Sequence, residues 1–186
     1  MASIILVANP KGGTGKTTVA DELAFCFEHN NLTVSFANLD NQGGTIHETV
    51  ERPNSDVMIV DTPGQLKDQA KDWAKSADLL LVPTNPSVRD AIPTIDFVKS
   101  MKRYVPVHLV INRYQANRVV CKQFDDFVAE QGLSVLGRLP DSTAFPKAAM
   151  NRDGVITDRP YGPPAMAVKE LARNVLAELG LSHRIR

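Results

Sequence analysis

Cysteine is scarce in this chain of 186 residues, which contains only Cys26 and Cys121. The two residues are far apart and form no Cys-x-x-Cys pair. Because a metal site made of cysteine alone needs more than two ligands, the sequence excludes such a site within one chain. We expect both residues to be reduced thiols in the interior, where free cysteine is most often found.

Long apolar runs are also missing. None approaches the roughly 20 consecutive residues that span a bilayer, and the N-terminus has neither the basic start nor the apolar core of a signal peptide. With 43% hydrophobic and 23% charged residues, the composition is that of an ordinary soluble protein. We therefore expect a cytoplasmic protein whose residues 1–186 form a single domain.

The chain has no net charge at pH 7, so its overall charge favours no particular partner. Its two halves differ, however. Residues 1–93 contain 7 Lys and Arg against 12 Asp and Glu, whereas residues 94–186 contain 14 against 9. Such asymmetry is typical of a face for nucleic acid or an anionic membrane, but scatter explains it equally well from composition alone.

Short apolar runs alternate with amphipathic segments, which predicts an α/β fold with a mostly parallel, twisted sheet and helices on both faces. Strands are predicted over residues 4–8, 33–39, 57–60, 79–82, 107–111 and 134–139. Helices are predicted up to residue 30 and over residues 66–76, 88–104, 118–131, 142–150 and 165–179, with an irregular stretch at 151–164. Pro83 is expected to end the fourth strand, and Pro93 favours a helix that starts near Ala91.

A glycine-rich segment, residues 10–18, lies between the first predicted strand and the first predicted helix and reads Pro-Lys-Gly-Gly-Thr-Gly-Lys-Thr-Thr. In such a turn the backbone N–H groups and the helix dipole attract an anion, and glycines let the backbone approach it closely. Lys16 adds a positive charge, and Thr17 adds a hydroxyl suited to Mg²⁺. The pattern indicates a site for a triphosphate.

The segment departs from the usual phosphate-loop pattern G-x-x-x-x-G-K-[ST], because Pro10 replaces the first glycine and a second lysine, Lys11, is present. Residues 11–18 resemble the deviant Walker A motif of the ParA/MinD family of ATPases. The resemblance covers nearly the whole chain, since later motifs follow in the family's order. It implies a P-loop NTPase fold, ATP and Mg²⁺ as cofactors, and slow hydrolysis of ATP.

The resemblance also implies roles within the segment, in which Gly12, Gly13, Thr14 and Gly15 surround the phosphates. Lys16 contacts the β- and γ-phosphates, Thr17 ligates Mg²⁺ and Thr18 contacts the α-phosphate. Family members form an ATP-bound sandwich homodimer, in which Lys11 reaches the nucleotide of the second subunit. Dimerisation then depends on the γ-phosphate, and hydrolysis releases the dimer.

Two carboxylates follow predicted strands. Asp61 ends an apolar strand before Thr-Pro-Gly and resembles the Walker B aspartate, which is held near Mg²⁺. Asp40 matches the second aspartate of the family's Asp-x-Asp-Pro-Gln, which lies near the metal and positions or activates the attacking water. Asn38 and Asn41 stand where the family has the first aspartate and the proline, so their effect on turnover stays open.

Two residues are expected to border the base. Asn112 ends the fifth predicted strand and Pro140 follows the sixth, where the resemblance places contacts to adenine. An amide offers a donor and an acceptor, which suits a purine edge. The sequence has no Asn-Lys-x-Asp motif for guanine, so ATP is favoured over GTP.

The resemblance to small ParA proteins implies nonspecific DNA binding in the ATP state, with nucleoid association, and partition of a plasmid, chromosome or other cargo. It also implies a ParB-like or other adaptor that activates hydrolysis. Basic residues of the second half are the candidates for DNA contact: Lys99, Lys102, Arg103, Arg113, Arg118, Lys122, Lys147, Arg152 and Arg173.

Other functions stay open at this point. A MinD-like ATPase that acts on a membrane surface is one alternative, although residues 180–186 are short and weakly apolar for a stable membrane anchor. A nucleotide-gated scaffold with little turnover is a second alternative, because of Asn38 and Asn41. A small-molecule ligase of the dethiobiotin synthetase type is a third, since one fold permits many chemistries.

Overall fold

A computed structural model describes residues 2–40, 44–64 and 67–182. Within these residues one six-stranded sheet has the order β2-β3-β1-β4-β5-β6, and every pairing of neighbouring strands is parallel. The strands are β1 (Ser3–Val7), β2 (Val34–Asn38), β3 (Val57–Asp61), β4 (Leu79–Thr84), β5 (Val107–Tyr114) and β6 (Val135–Pro140). The helices are α1 (Lys16–His29), α2 (Lys67–Ser76), α3 (Val88–Met101), α4 (Val119–Glu130), α5 (Ala144–Met150), α6 (Val155–Asp158) and α7 (Pro163–Glu178). The predicted α/β fold is confirmed.

Each face of the sheet has its own hydrophobic cluster, because successive side chains of a strand point to opposite faces. On β1, Ile5 and Val7 pack with α1, α5, α6 and α7, whereas Leu6 packs with α2, α3 and α4. The central strands are therefore buried on both sides, which explains why they read as continuous apolar runs.

The strand order places the functional edge of the sheet. The helix that follows β1 packs on one face of the sheet and the helix that follows its neighbour β4 packs on the other face, so β1 and β4 flank a topological switch point. Ligands of open α/β sheets bind at such a point, beside the carboxyl ends of the strands. The glycine-rich segment follows β1 at this edge.

The expected effect of Pro83 is wrong. β4 continues through Pro83 to Thr84. The pairing of β1 with β4 stops at Val7 and Leu81, and beyond it the Pro83 carbonyl accepts a hydrogen bond from Asn9 Nδ2 at 2.8 Å. No residue of β1 pairs with Pro83, so the N–H that proline lacks costs no hydrogen bond between β1 and β4.

Two helical predictions also need correction. α3 begins at Val88 and contains Pro93, rather than starting near Ala91. The stretch 151–164 is not wholly irregular, because it contains α6, whose Val155 N–H donates to Glu22 Oε2 of α1 at 3.0 Å. Four residues are too few to show a period, and this partner lies far away in the sequence. The predicted start of α2 at residue 66 lies outside the described residues.

Candidate nucleotide site

The loop between β1 and α1 is held by a buried amide. Asn9 is 1% exposed. Its Nδ2 donates to the Pro83 carbonyl (2.8 Å) and to Thr94 Oγ1 (3.0 Å), and its Oδ1 accepts the Lys11 N–H (2.9 Å). Asn9 thereby fixes the start of the loop to β4 and α3. The sequence analysis missed it; its only signal is a polar residue close behind a buried strand.

Two loop glycines have backbone angles that other residues rarely adopt, with φ of +75° at Gly13 and +94° at Gly15. A Cβ on Gly15 would collide with Asn112 Nδ2, whereas the space around Gly12 and Gly13 is open. Gly15 directly precedes α1, whose N-terminus has no side-chain cap and no acidic residue in its first turn. This open, uncapped helix end suits an anion.

Lys16 places a cation inside the loop. The residue is 8% exposed, and a Cβ on Gly64 would lie 3.5 Å from both Lys16 Nζ and the Pro10 carbonyl oxygen. Burial lowers the pKa of Lys16, and the nearby charges of Asp61 and Asp40 act in the opposite direction. A bound phosphate would further favour the charged ammonium.

Asp61, at the end of β3, is fully buried beside Thr17, whose Oγ1 donates to Asp61 Oδ2 at 2.8 Å. The other oxygen, Oδ1, is buried and has no hydrogen-bond partner within the described residues. Burial raises the pKa of Asp61 to about 6, against the Thr17 hydrogen bond and the Lys16 charge, which lower it. An unpaired carboxylate oxygen next to a hydroxyl fits hydrated Mg²⁺.

The described residues hold no group of three or more His, Cys, Asp or Glu that could bind a metal ion alone. Mg²⁺ usually takes only one or two protein carboxylates and completes its coordination with water and substrate phosphates. The residues around Asp61 therefore fit Mg²⁺ that arrives with a nucleotide.

Asp40 is half-buried and follows β2 in a turn fixed by Asn38. The Asp40 N–H donates to Asn38 Oδ1 at 2.9 Å, and Asn38 Nδ2 donates to Thr45 Oγ1 at 2.7 Å. Asn38 also pairs with Asp61 in the register of β2 and β3. The amide that replaces the family's first aspartate thus anchors the turn that carries Asp40. Asn41 lies outside the described residues.

A cavity of about 660 Å³ opens beside the loop and α1. Five predicted residues line it: Gly15, Thr17, Thr18, Asn112 and Pro140. The other residues predicted to bind the nucleotide or Mg²⁺ are not on its wall. They lie in the loop, at the start of α1, after β2 and at the end of β3: Lys11, Gly12, Gly13, Thr14, Lys16, Asp40 and Asp61.

The Asn112 side chain supports the loop as well as bordering the cavity. It lies in β5, which is longer than predicted. Its Nδ2 donates to the Thr14 carbonyl (3.2 Å), and its Oδ1 accepts the Arg113 N–H (2.9 Å). Asn85 also supports the loop, because its Nδ2 donates to the Gly13 carbonyl at 3.3 Å. The sequence analysis missed this residue.

The nine basic candidates for DNA contact are all exposed, but they do not form one patch. Lys99 and Lys102 contact the end of α4, through Gln131 Oε1 (3.2 Å) and the Gly132 carbonyl (3.3 Å). With Arg103 they lie at the edge of the sheet opposite the loop. The remaining six lie elsewhere: Arg113 on the cavity wall, Arg118 and Lys122 at the start of α4, Lys147 and Arg152 in and after α5, and Arg173 on α7.

Residues 5–155 match the CbiA family, described as the CobQ/CobB/MinD/ParA nucleotide-binding domain. The match spans most of the chain, so the chain belongs to this family of nucleotide-binding domains. The predicted membership of the ParA/MinD family is confirmed.

Solved structures share the fold. MinD from Pyrococcus horikoshii OT3, complexed with Mg-ADP, is 17% identical with a TM-score of 0.77 over 98% of this chain and 99% of that one. A putative plasmid partition protein from Borrelia burgdorferi B31, bound to AMPPNP, is 16% identical with a TM-score of 0.71 over 95% and 99%. Cobyrinic acid a,c-diamide synthase from Mycobacterium smegmatis, with ADP and magnesium, is 17% identical with a TM-score of 0.75 over 100% and 98%. The chain therefore has the P-loop NTPase fold of MinD and ParA.

None of the described helices combines the length and the apolar character needed to cross a membrane. The last residues of the C-terminal tail, 183–186, lie outside the described residues, so the expectation that this tail is a poor membrane anchor stays a prediction.

Proposed function

We propose that the chain is a ParA-type ATPase that binds Mg²⁺-ATP in the loop between β1 and α1. The observation that carries this proposal is the convergence of three features: the buried Lys16, the uncapped start of α1 and the unpaired Asp61 Oδ1 beside Thr17. The first two attract a polyanion and the third attracts a cation, and a metal-bound triphosphate supplies both.

In this proposal the backbone of residues 12–15 and the Lys16 ammonium hold the β- and γ-phosphates, and Thr18 contacts the α-phosphate. Thr17 and Asp61, with Asp40 nearby, would hold Mg²⁺, which offsets the charge of the phosphates. Asp40 orients the attacking water and accepts its proton. Asn112 and Pro140 border the adenine in the adjoining cavity.

A second copy of the chain completes the proposed site. Lys11 is exposed on the loop, and the space beside Gly12 and Gly13 is open. A second loop can therefore approach this side and bring its own Lys11 to the phosphates. Because a cation supplied by the partner is attracted most by the γ-phosphate, the homodimer would form with ATP and separate after hydrolysis.

We further propose that the ATP-bound dimer binds DNA without sequence preference and positions a plasmid, chromosome or other cargo with a ParB-like adaptor, on the nucleoid within the cytoplasm. The excess of basic residues in the second half and the partition protein among the structural neighbours support this proposal. Phosphate contacts need no sequence code, and a dimer doubles the number of available cations.

Three variants test the ATPase proposal by nucleotide binding and phosphate release. Lys16→Ala is expected to lose nucleotide binding, because it removes the buried cation of the loop. Asp40→Ala is expected to keep ATP binding and to lose turnover. The control is Lys75→Ala, which should behave as wild type. The Lys75 ammonium pairs with Asp72 at 2.8 Å on the exposed end of α2. Normal hydrolysis by Asp40→Ala would refute the role given to Asp40.

A further inference from the structure

The segment that follows β2 carries Asp40. We call its described residues, 39–40 and 44–50, the Asp40 loop. It leaves β2 after Asn38, and at its other end Val50 pairs with Phe36 of the same strand, through backbone hydrogen bonds of 2.9 and 2.8 Å. The start of the loop is also tied to β3, because the Leu39 N–H donates to the Asp61 carbonyl at 2.9 Å. The place of its middle, residues 44–47, relative to α1 depends on further contacts.

A carboxylate from α1 holds that middle. Asp21 is 4% exposed, and it accepts the Ile46 N–H (2.9 Å), the His47 N–H (3.1 Å) and a hydrogen bond from His47 Nδ1 (2.8 Å). Asp21 lies four residues after Thr17, on the same side of α1. The Asp40 loop is thus fastened to the helix that begins with Lys16 and carries Thr17.

The His47 ring contacts two aromatic rings and a second carboxylate. Its centroid lies 4.3 Å from that of Phe25 and 5.1 Å from that of Phe36, with the Phe36 ring nearly parallel. Its Nε2 lies 3.4 Å from Glu28 Oε2, and Glu28 also accepts a hydrogen bond from Arg52 at 2.8 Å. Because a carboxylate can only accept, the contact with Asp21 uses Nδ1 as the donor.

A short series of hydrogen bonds joins this contact to Asp40. Thr45, next to Ile46, accepts from Asn38 Nδ2 at 2.7 Å. Asn38 Oδ1 in turn accepts the Asp40 N–H at 2.9 Å. Asn38 therefore contacts both Asp40 and Thr45, and Asp21 contacts the two residues that follow Thr45.

We propose that Asp21 and His47 are positioning residues for ATP hydrolysis, which set the place of Asp40 relative to Lys16 and Thr17 without contacting the phosphates themselves. The proposal rests on the ATPase function proposed above. Displacement of a catalytic group by about 1 Å can cost a hundredfold in rate, whereas the phosphate loop that binds the nucleotide is held by other residues, Asn9 and Asn112. Asp21 and Ile46 also border the cavity beside the loop, so loss of the contact should lower turnover more than it weakens binding.

Two substitutions at one position separate this role from packing. His47→Phe keeps a flat ring beside Phe25 and Phe36 but removes the Nδ1–H donor. His47→Asn keeps a donor near the place of Nδ1 but removes the ring. His29→Phe is the matched control, because His29 is exposed near the end of α1.

The test measures kcat and the dissociation constant of ATP, together with hydrogen exchange of residues 44–50 in the nucleotide-free protein. His47→Phe is expected to lower kcat about tenfold, to leave the dissociation constant within about twofold of wild type and to speed exchange at Ile46 and His47. His47→Asn is expected to retain at least half of kcat, and His29→Phe should match wild type in all three.

Each other outcome overturns a different statement. If His47→Phe turns over ATP normally, or if His47→Asn loses more turnover than His47→Phe, the contact does not position Asp40. If exchange at residues 44–50 is unchanged in His47→Phe, the contact does not hold the loop. If the wild-type protein itself releases no phosphate from ATP, the proposed function fails, and the positioning proposal fails with it.

Discussion

Gly15 cannot be replaced by a larger residue without a change in the loop between β1 and α1. Its φ of +94° disfavours any other residue, and a Cβ there would collide with Asn112 Nδ2, which supports the loop at Thr14. Motif spacing predicts this glycine from the sequence, but the steric reason involves β5 and required the structure. Contacts between distant elements are likewise the reason that Asn9, Asp21 and His47 escaped prediction.

We expect Gly15→Ala to weaken ADP binding at least about tenfold and to destabilise the fold by about 1–3 kcal/mol, because it combines backbone strain with overpacking. Gly12→Ala is the control, since Gly12 has open space around it and no positive φ, and it should unfold at the wild-type denaturant midpoint. Titration calorimetry and urea unfolding measure the two effects. Wild-type binding by Gly15→Ala would contradict the described loop geometry.

Glu22, next to Asp21 on α1, makes stability depend on pH. Burial raises the pKa of Glu22 to about 7, and the charges of Asp21 and Asp153 act in the same direction. The hydrogen bond from the Val155 N–H and the charge of His47 lower this pKa. The folded state therefore holds this proton more tightly than the unfolded state, so the contribution of Glu22 to stability falls as pH rises from about 4.5 to 7.

Glu22→Gln removes this titration but keeps an oxygen that can accept the Val155 N–H. The free energy of unfolding of Glu22→Gln minus that of wild type is expected to be about 2 kcal/mol larger at pH 8 than at pH 5. Exposed Glu48→Gln is the control and should show no such change. Urea unfolding at both pH values measures the difference, and a difference that is constant with pH would show that Glu22 does not titrate in this way.

At the scale of secondary-structure elements, the sequence predicted the number of strands and their places along the chain, because strands buried on both faces are continuous apolar runs. It failed where the tertiary surroundings decide. Pro83 is tolerated in β4 because β1 has already ended beside it, and α6 is anchored by Glu22 from α1. Neither condition can be read from the local sequence.

The contact of α7 with β6 depends on a glycine. A Cβ on Gly137 would lie 3.0 Å from Leu171 Cδ1 and 3.1 Å from Leu171 Cβ. Gly137→Ala is expected to destabilise the protein by about 1–3 kcal/mol, because α7 must move away from the sheet. In a Leu171→Ala background the cost should be smaller, since the added methyl group then enters the vacated space. Urea unfolding of the four proteins measures this coupling, and strictly additive effects would contradict it.

At the scale of the whole molecule, the net charge of zero conceals an uneven distribution. Lys99, Lys102 and Arg103 lie at the edge of the sheet opposite the loop between β1 and α1, whereas Arg113 lines the cavity beside that loop. The sequence predicted the excess of positive charge in the second half but could not predict its division between two edges, which depends on the order of the strands. A dimer formed at the edge that carries the loop between β1 and α1 would bring together the cations near that edge.

The measurement that tests the central claim most directly is the binding of a fluorescent DNA duplex of arbitrary sequence, followed by anisotropy with Mg²⁺-ATP, with Mg²⁺-ADP and without nucleotide, at two salt concentrations. We predict at least about tenfold tighter binding with ATP than with ADP, and a steep loss of affinity at the higher salt concentration. Lys11→Ala, which retains the nucleotide loop but lacks the cation offered to a second copy, should show no effect of ATP. DNA affinity that is the same in all three nucleotide states, or no DNA binding at all, would contradict the proposal of an ATP-controlled partition protein.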